Sequence, residues 1–144
     1  MSDAAPLSIG MAAVDITPTG PIRLSGYGSR REETAQVETR LYAKALALGE
    51  HSPLLLLTLE NCGINQWLKE RVAAQLHAQT GLLPEHLLIC YSHTHTGPCL
   101  SQTLPMLFSE DIPADNQTRI DCYTEQLVAR SEEHTSELQS PCNL

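Results

Sequence analysis

A strand–helix–strand pattern constrains the fold of this 144-residue chain more than any other feature of its sequence. Residues 53–59 (PLLLLTL) and 87–91 (LLICY) are short apolar runs, typical of strands buried on both faces. Between them, apolar residues recur every four positions from Ile64 to Leu76, which predicts a helix over residues 65–80. A crossover of this kind makes the two strands parallel. The predicted fold class is therefore α/β, a partial mixed sheet that contains a βαβ unit.

Two more strands are predicted before this unit and a second helix after it. Residues 7–17 read as a strand that ends at a proline-rich turn, and residues 41–48 form a predicted hairpin with the strand at 53–59. The remaining predictions are a polar loop at 22–37, a loop at 100–116 and a helix at 118–129.

Two histidines follow the second strand of the unit, in the run SHTHTGP at residues 92–98. Ligand sites in parallel sheets lie beyond the carboxyl ends of the strands. Because an extended chain points residues i and i+2 to the same side, we expect the imidazoles of His93 and His95 to converge. Neutral imidazole is the commonest protein ligand for zinc. The alternative is two polar loop residues, or one structural histidine and one exposed one.

Two more residues are candidates for the same edge of the sheet. Glu60 ends the neighbouring strand, either as a solvated carboxylate or as a catalytic one. Cys99 lies six residues after His93, either as a third metal ligand or as a plain loop residue.

Composition excludes several classes of function. The formal net charge is −8 and there is no basic patch, which argues against nucleic acid or anionic membrane surfaces as partners. No apolar run is long enough for a transmembrane segment, and residues 1–7 (MSDAAPL) lack the features of a signal peptide. Scattered cysteines without a Cys-x-x-Cys pair indicate reduced thiols. A cytoplasmic location is expected.

The last fifteen residues differ in character from the rest. Residues 130–140 (RSEEHTSELQS) match a conceptual translation of a common sequencing-library adapter, and a polar helical tail is the alternative interpretation. The predicted division is an N-terminal fragment of a catalytic domain at 1–129 and a non-native tail at 130–144.

Four segments, taken in order, resemble the N-terminal part of the neutral/alkaline non-lysosomal ceramidase family. They are GMAAVDITP at 10–18, GYG at 26–28, LYAKALAL at 41–48 and SHTHTGP at 92–98. The family shows G-x-A-x-x-D-I-T-P, a Gly-Tyr soon after, and T-H-T-H-S-G-P after a buried strand. The resemblance covers residues 7–129, with Ser92 and Thr96 in place of the usual Thr and Ser.

The resemblance implies a zinc-dependent amidase that hydrolyses the N-acyl bond of ceramide, or of a similar N-acyl lipid, to a fatty acid and a sphingoid base. His93 falls on a zinc ligand of the family, and His95 on a catalytic residue beside it. The family's other ligands lie further along than this sequence reaches. Since three protein ligands are usual for catalytic zinc, we expect this chain alone to bind zinc weakly and to be inactive.

Two residues of the family segments have smaller expected roles. Asp15 is expected to brace the turn before Pro18, and Tyr27 either to pack under a loop or to touch the site.

Three other interpretations compete with this one. A metallo-β-lactamase-like hydrolase continues H-x-H-x-D-H, but here Thr96, Gly97 and Pro98 follow His95. An amidohydrolase barrel also opens on H-x-H, but about ninety residues would then precede the barrel. The third is a non-catalytic pseudoenzyme or a truncated product.

Overall fold

A computed structural model describes residues 7–50, 52–108 and 111–131 of the chain. Its strands and helices, in chain order, are β1 (Ile9–Asp15), β2 (Ile22–Arg23), β3 (Glu33–Thr34), β4 (Tyr42–Leu48), β5 (Leu54–Leu59), α1 (Gln66–Thr80), β6 (Leu87–Tyr91), α2 (Pro105–Phe108) and α3 (Ala114–Arg130). A short 3-10 turn, Pro84–His86, precedes β6.

The main sheet has the strand order β1-β4-β5-β6. The β1–β4 and β4–β5 pairs are antiparallel, and Ala45 lies opposite both Ala12 and Leu57. The β5–β6 pair is parallel, with Leu57 beside Ile89. The predicted mixed sheet, its hairpin and its βαβ unit are therefore confirmed.

Helix α1 has the termini that its sequence predicts. The side chain of Asn65 accepts a hydrogen bond from the Leu68 N–H at 2.8 Å, which satisfies one of the free donors of the first turn. Gly81 ends the helix in the left-handed conformation at φ 72°, and its N–H donates to the His77 carbonyl.

One face of the main sheet carries the core. The side chains that meet there are apolar and come from β4, β5, α1 and α3; they include Ala43, Leu55, Leu57, Leu59, Leu68, Val72, Leu76, Ile120 and Leu127. The other face is more open, with Met11 74% and Leu88 61% exposed. The prediction that β5 and β6 are buried on both faces was wrong, because both long helices of the described residues bury their apolar side chains in this single core.

Several loop predictions also need correction. The polar stretch at 22–37 contains a small antiparallel ribbon, β2 with β3. The stretch at 100–116 contains the short helix α2. Helix α3 begins at Ala114, four residues before the predicted start, and its N–H of Gln117 donates to the Pro113 carbonyl.

The predicted boundary between residues 129 and 130 falls inside α3, which continues to Arg130. Residues 132–144 lie outside the described part of the chain, so the adapter interpretation of the tail stays a prediction. Within the described ranges, no helix has the length and apolar character needed to cross a membrane.

Candidate metal centre

The two histidines lie where the parallel strands β5 and β6 end. The last rung between these ends is the bond from the Ser92 N–H to the Leu59 carbonyl, at 3.0 Å. The chain then leaves the extended conformation, because His93 adopts a left-handed backbone with φ 57°. The extended geometry expected for His93 was therefore wrong in detail. A non-glycine residue in this region is strained, and such strain is concentrated at functional sites.

The imidazoles of His93 and His95 nonetheless meet. Their ring centroids lie 5.0 Å apart, with the ring planes at 81°. The left-handed turn at His93 produces the convergence that was expected from a straight strand end.

His93 is oriented by the turn that follows β5. Its Nδ1 lies 2.7 Å from the Cys62 carbonyl oxygen. Because a carbonyl oxygen only accepts, Nδ1 must carry the proton, and the lone pair is then on Nε2. Metal-binding histidines are held in this way, by donating the second ring nitrogen to a carbonyl or carboxylate. Since His93 is also exposed, its Nε2 is available to a metal ion.

His95 is enclosed by the loop between β2 and β3. Gly26 has φ +99°, and a Cβ built on it would lie 2.5 Å from the Cβ of His95. The Tyr27 ring meets the His95 ring edge-on, with centroids 4.8 Å apart. The Arg30 guanidinium donates to the carbonyls of Ser25 and His95 and lies 4.9 Å from the centroid of the Tyr27 ring. Of the two expectations for Tyr27, contact with the site is the one that the structure shows.

A buried arginine fixes that loop. Arg23 is 1% exposed and pairs with the Glu33 carboxylate at 2.9 Å. Its guanidinium also donates to the carbonyls of Arg30 and Arg31, at 3.2 and 2.7 Å. These bonds satisfy a charge that would be costly to bury alone. They also set the path of the segment that reaches His95.

The segment that follows the histidines is hydrogen-bonded to strand β2 and to the turn after β5. The Cys99 N–H donates to the Arg23 carbonyl at 2.8 Å, and the buried Asn61 side chain donates to the Pro98 carbonyl at 3.0 Å. A Cβ on Gly97 would lie 3.1 Å from the Cα of Asn61, so glycine permits the close approach of the two strand-end turns.

A thiol that the sequence reasoning did not single out completes the cluster. Cys62, His93 and His95 each offer a ligand atom, and these atoms lie within 4.8 Å of one another. A signal was available, since Cys62 is three residues past the end of β5, and the ends of neighbouring parallel strands share one edge.

Two residues considered for the site lie elsewhere. The Glu60 carboxylate accepts from the Tyr42 N–H at 2.9 Å and pairs with Lys44 at 3.0 Å, so it is bound to β4. Cys99 is 4% exposed and is not one of the clustered ligands. Burial raises the pKa of its thiol to about 11, which disfavours the thiolate that metals bind.

The ligand atoms of this cluster, nitrogen and sulfur, are of the types that zinc binds. Zinc takes nitrogen from histidine and sulfur from cysteine. Ligand atoms of a tetrahedral zinc centre are roughly 3.3–3.8 Å apart, given metal–ligand bonds of about 2.0–2.3 Å. The ligand atoms of Cys62, His93 and His95 spread over up to 4.8 Å, which is wider than this.

Comparison with known proteins shows what the fold is. The chain superposes on neutral ceramidase from Pseudomonas aeruginosa with a TM-score of 0.69 and 23% identity, covering 94% of this chain and 22% of that one. The fold is a ceramidase fold. A ceramidase complexed with C2 gives the same TM-score and identity, with 92% and 21% covered. No protein-family profile matches the sequence. The fold expected from the four motifs is thus confirmed, over about a fifth of the length of the solved structures.

Proposed function

We propose that this chain is part of a metal-dependent amide hydrolase that cleaves the N-acyl bond of ceramide or a similar N-acyl lipid. The observation that carries the proposal is the His93–His95 pair at the ends of two parallel strands, in a fold shared with neutral ceramidase. The chain spans about a fifth of that protein, so the activity is proposed for a longer protein that contains this segment.

In this proposal His93 is a zinc ligand through Nε2. A zinc ion with an open position lowers the pKa of bound water and polarises an amide carbonyl. The hydrogen bond from Nδ1 to the Cys62 carbonyl fixes the orientation of the His93 ring, so the ring would not have to reorient for Nε2 to bind the metal. The left-handed backbone at His93 holds the ring close to the turn that supplies this carbonyl.

His95 is the proposed catalytic residue. Its ring stands edge-on to that of His93, with centroids 5.0 Å apart, which supports a role beside the metal that His93 would bind. An imidazole there can donate a hydrogen bond to the oxyanion that develops on the amide or carry a proton to the leaving amine. Tyr27 contacts the His95 ring and Arg30 donates to the His95 carbonyl, so they act as positioning residues.

The proposal also covers the compartment and the substrate class. We propose a reducing, cytoplasmic compartment, in which the thiols of the described part of the chain, Cys62, Cys90, Cys99 and Cys122, would stay unpaired. A lipid amide is the proposed substrate class because the fold is that of a ceramidase.

A fluorescent ceramide assay tests the proposal. The protein used is the longer one that carries this segment, with a chelator and with zinc added back. We expect the chelator to abolish hydrolysis and zinc to restore it. Changing His93→Ala should lower hydrolysis more than about a hundredfold, and His95→Ala by about 10²–10⁴-fold.

His86→Ala is the matched control, since His86 lies on the 3-10 turn, where its Nδ1 meets the Ser52 hydroxyl at 3.1 Å. Its activity should equal that of the unchanged protein. Hydrolysis that survives both the chelator and His93→Ala would reject the proposal. The absence of ceramide hydrolysis from the unchanged longer protein would favour a pseudoenzyme.

A further inference from the structure

The side chain of Asn61 joins the turn that follows β5 to the segment that follows β6. It is only 2% exposed. Its amide oxygen accepts from the Gly63 N–H at 3.2 Å, and its amide nitrogen donates to the Pro98 carbonyl at 3.0 Å. A buried amide is costly unless its polar atoms are hydrogen-bonded, and here both ends of the amide have partners. The two partners belong to the two segments that carry the site.

The bond to Gly63 holds the peptide that orients His93. The Cys62 carbonyl and the Gly63 N–H belong to one peptide unit, and a peptide unit is planar. Asn61 therefore holds the N–H of this plane, while the His93 Nδ1 donates to its carbonyl at 2.7 Å. Because the two groups share one rigid plane, the direction of the carbonyl is set by the bond that its N–H makes. Without Asn61 the plane could rotate and turn the carbonyl away from the ring.

The same bond should also strengthen the one that His93 makes. Hydrogen bonds that share a peptide polarise one another, so a peptide whose N–H donates has a carbonyl that accepts more strongly. A stronger bond at Nδ1 keeps the proton of the His93 ring on that nitrogen and the lone pair on Nε2, the atom proposed to bind the metal.

We propose that Asn61 is a positioning residue for His93 and acts through the peptide between Cys62 and Gly63. The inference rests on the proposed role of His93 and adds the residue that sets the orientation and the tautomer of its ring. The bond from Asn61 to the Pro98 carbonyl keeps this turn in place against the segment after His95.

NMR of the ring nitrogens in an isotopically labelled 144-residue chain tests the inference without any metal. At about pH 8, where imidazole rings are neutral, we expect the His93 proton on Nδ1. Asn61→Leu replaces the amide by an apolar side chain of the same branched shape and removes both hydrogen bonds. It should shift the proton to Nε2, the form that a solvated imidazole favours. Asn61→Asp keeps an oxygen that accepts from the Gly63 N–H, so it should retain the Nδ1–H form.

The longer protein that carries this segment gives a second readout. Loss of a group that orients a metal ligand typically weakens metal binding or activity by about 10–100-fold. We expect Asn61→Leu to weaken zinc binding by this factor, measured by competition with a coloured chelator. At saturating zinc, kcat for ceramide should fall while KM stays the same, because the change alters the His93 ring and not the groups that would hold the lipid.

Asn65→Leu is the matched control. The Asn65 side chain also accepts from one N–H, that of Leu68, and donates to one carbonyl, that of Ser101 at 3.3 Å. Neither bond involves the peptide that His93 contacts. Asn65→Leu should therefore lower the stability of the fold but leave the His93 tautomer, the zinc affinity and kcat unchanged. If both leucine variants changed the tautomer alike, Asn61 would have only a general structural role and the inference would be wrong.

The remaining outcomes separate this inference from the proposed function. A folded Asn61→Leu chain that keeps the His93 proton on Nδ1, or an unchanged chain that carries it on Nε2, overturns the inference. If neither Asn61 variant folds, the unchanged chain decides: slow hydrogen exchange of the Gly63 amide supports the inference, and fast exchange overturns it. If the tautomer responds to Asn61→Leu but the longer protein does not hydrolyse ceramide, only the proposed function fails.

Discussion

The scaffold and the loop layer of this molecule are stabilised in different ways. The scaffold is the main sheet with α1 and α3, and its interior is built from apolar side chains such as Leu57, Leu68 and Ile120. The loop layer is residues 22–34 and 92–99, which enclose the histidine pair. Its interior contains a buried arginine and a glycine against which His95 packs without space for a side chain.

The difference has a consequence for substitutions. Apolar packing is non-directional, so a scaffold residue stabilises the fold through the area that it buries, and neighbours share the loss when it is removed. In the loop layer the contacts are directional hydrogen bonds between specific groups, such as those from the Arg30 guanidinium to the carbonyls of Ser25 and His95. Removing a scaffold side chain should therefore lower stability and leave the loop layer unchanged, whereas a substitution in the loop layer should change both the stability and the geometry around His95.

Gly26→Ala should produce the largest effect. The new Cβ would lie 2.5 Å from both Cβ and Cγ of His95 and 2.6 Å from its Cα, and φ at this position is +99°. Overpacking and the left-handed penalty together should lower the free energy of unfolding by about 4 kcal/mol. Urea denaturation measures this loss, and ceramide hydrolysis by the longer protein that carries the change should fall as well.

Two other glycines separate the causes. Gly81→Ala, at φ +72° with open space around the Cβ, should show the backbone penalty alone, about 1 kcal/mol. Gly20→Ala, with nothing within 4 Å, should change little. If Gly26→Ala were no worse than Gly81→Ala, the close approach of Gly26 to His95 would not be a feature of the folded protein.

Leu68→Ala is the corresponding change in the scaffold. Leu68 is 1% exposed in the core, so its truncation should cost about 3 kcal/mol in urea denaturation. Because the residue is on α1, away from the loop layer, ceramide hydrolysis by the folded longer protein that carries the change should match that of the unchanged protein. Reduced hydrolysis by the folded variant would mean that packing in the scaffold also sets the geometry of the site.

The scaffold is also the part that the sequence predicts best. The periodicity from Ile64 to Leu76, with Gly81 after it, indicates α1 to within one residue, because caps and apolar spacing are local signals. The hairpin of β4 and β5 follows from two apolar runs joined by a short turn. The degree of burial of β6 was wrong, since an apolar run does not reveal whether helices cover one face or both.

The loop layer was predicted only in part. The histidine pair was found because its spacing and its place after a strand are local features. Arg23 and Cys62 were not found, because their roles depend on partners far away in sequence, such as the Glu33 carboxylate and the His93 ring. Polar residues that contact main-chain carbonyls have no periodicity, so only the folded chain reveals them.

The smallest effect expected is at Asp15, on the strand that joins the two regions. Its carboxylate accepts from the Thr17 N–H at 2.8 Å, as the turn before Pro18 predicted, and pairs with Arg40. These bonds, the Thr17 hydrogen bond first, lower the pKa of Asp15 to about 2, from 3.8. A lowered pKa stabilises the fold above about pH 4, and the contribution is lost as the pH falls through about 2.

Asp15→Asn should therefore reduce the pH dependence of stability between about pH 4 and pH 2. Asparagine still accepts from the Thr17 N–H but carries no charge for Arg40, and solvent screens that pair, so the cost at pH 7 should be about 0.5 kcal/mol. Urea denaturation at pH 7, 4 and 2.5 measures both quantities. Glu85→Gln, a surface carboxylate on the 3-10 turn, serves as the charge control. An equal acid sensitivity of Asp15→Asn and the unchanged chain would show that the turn is stabilised by its backbone alone.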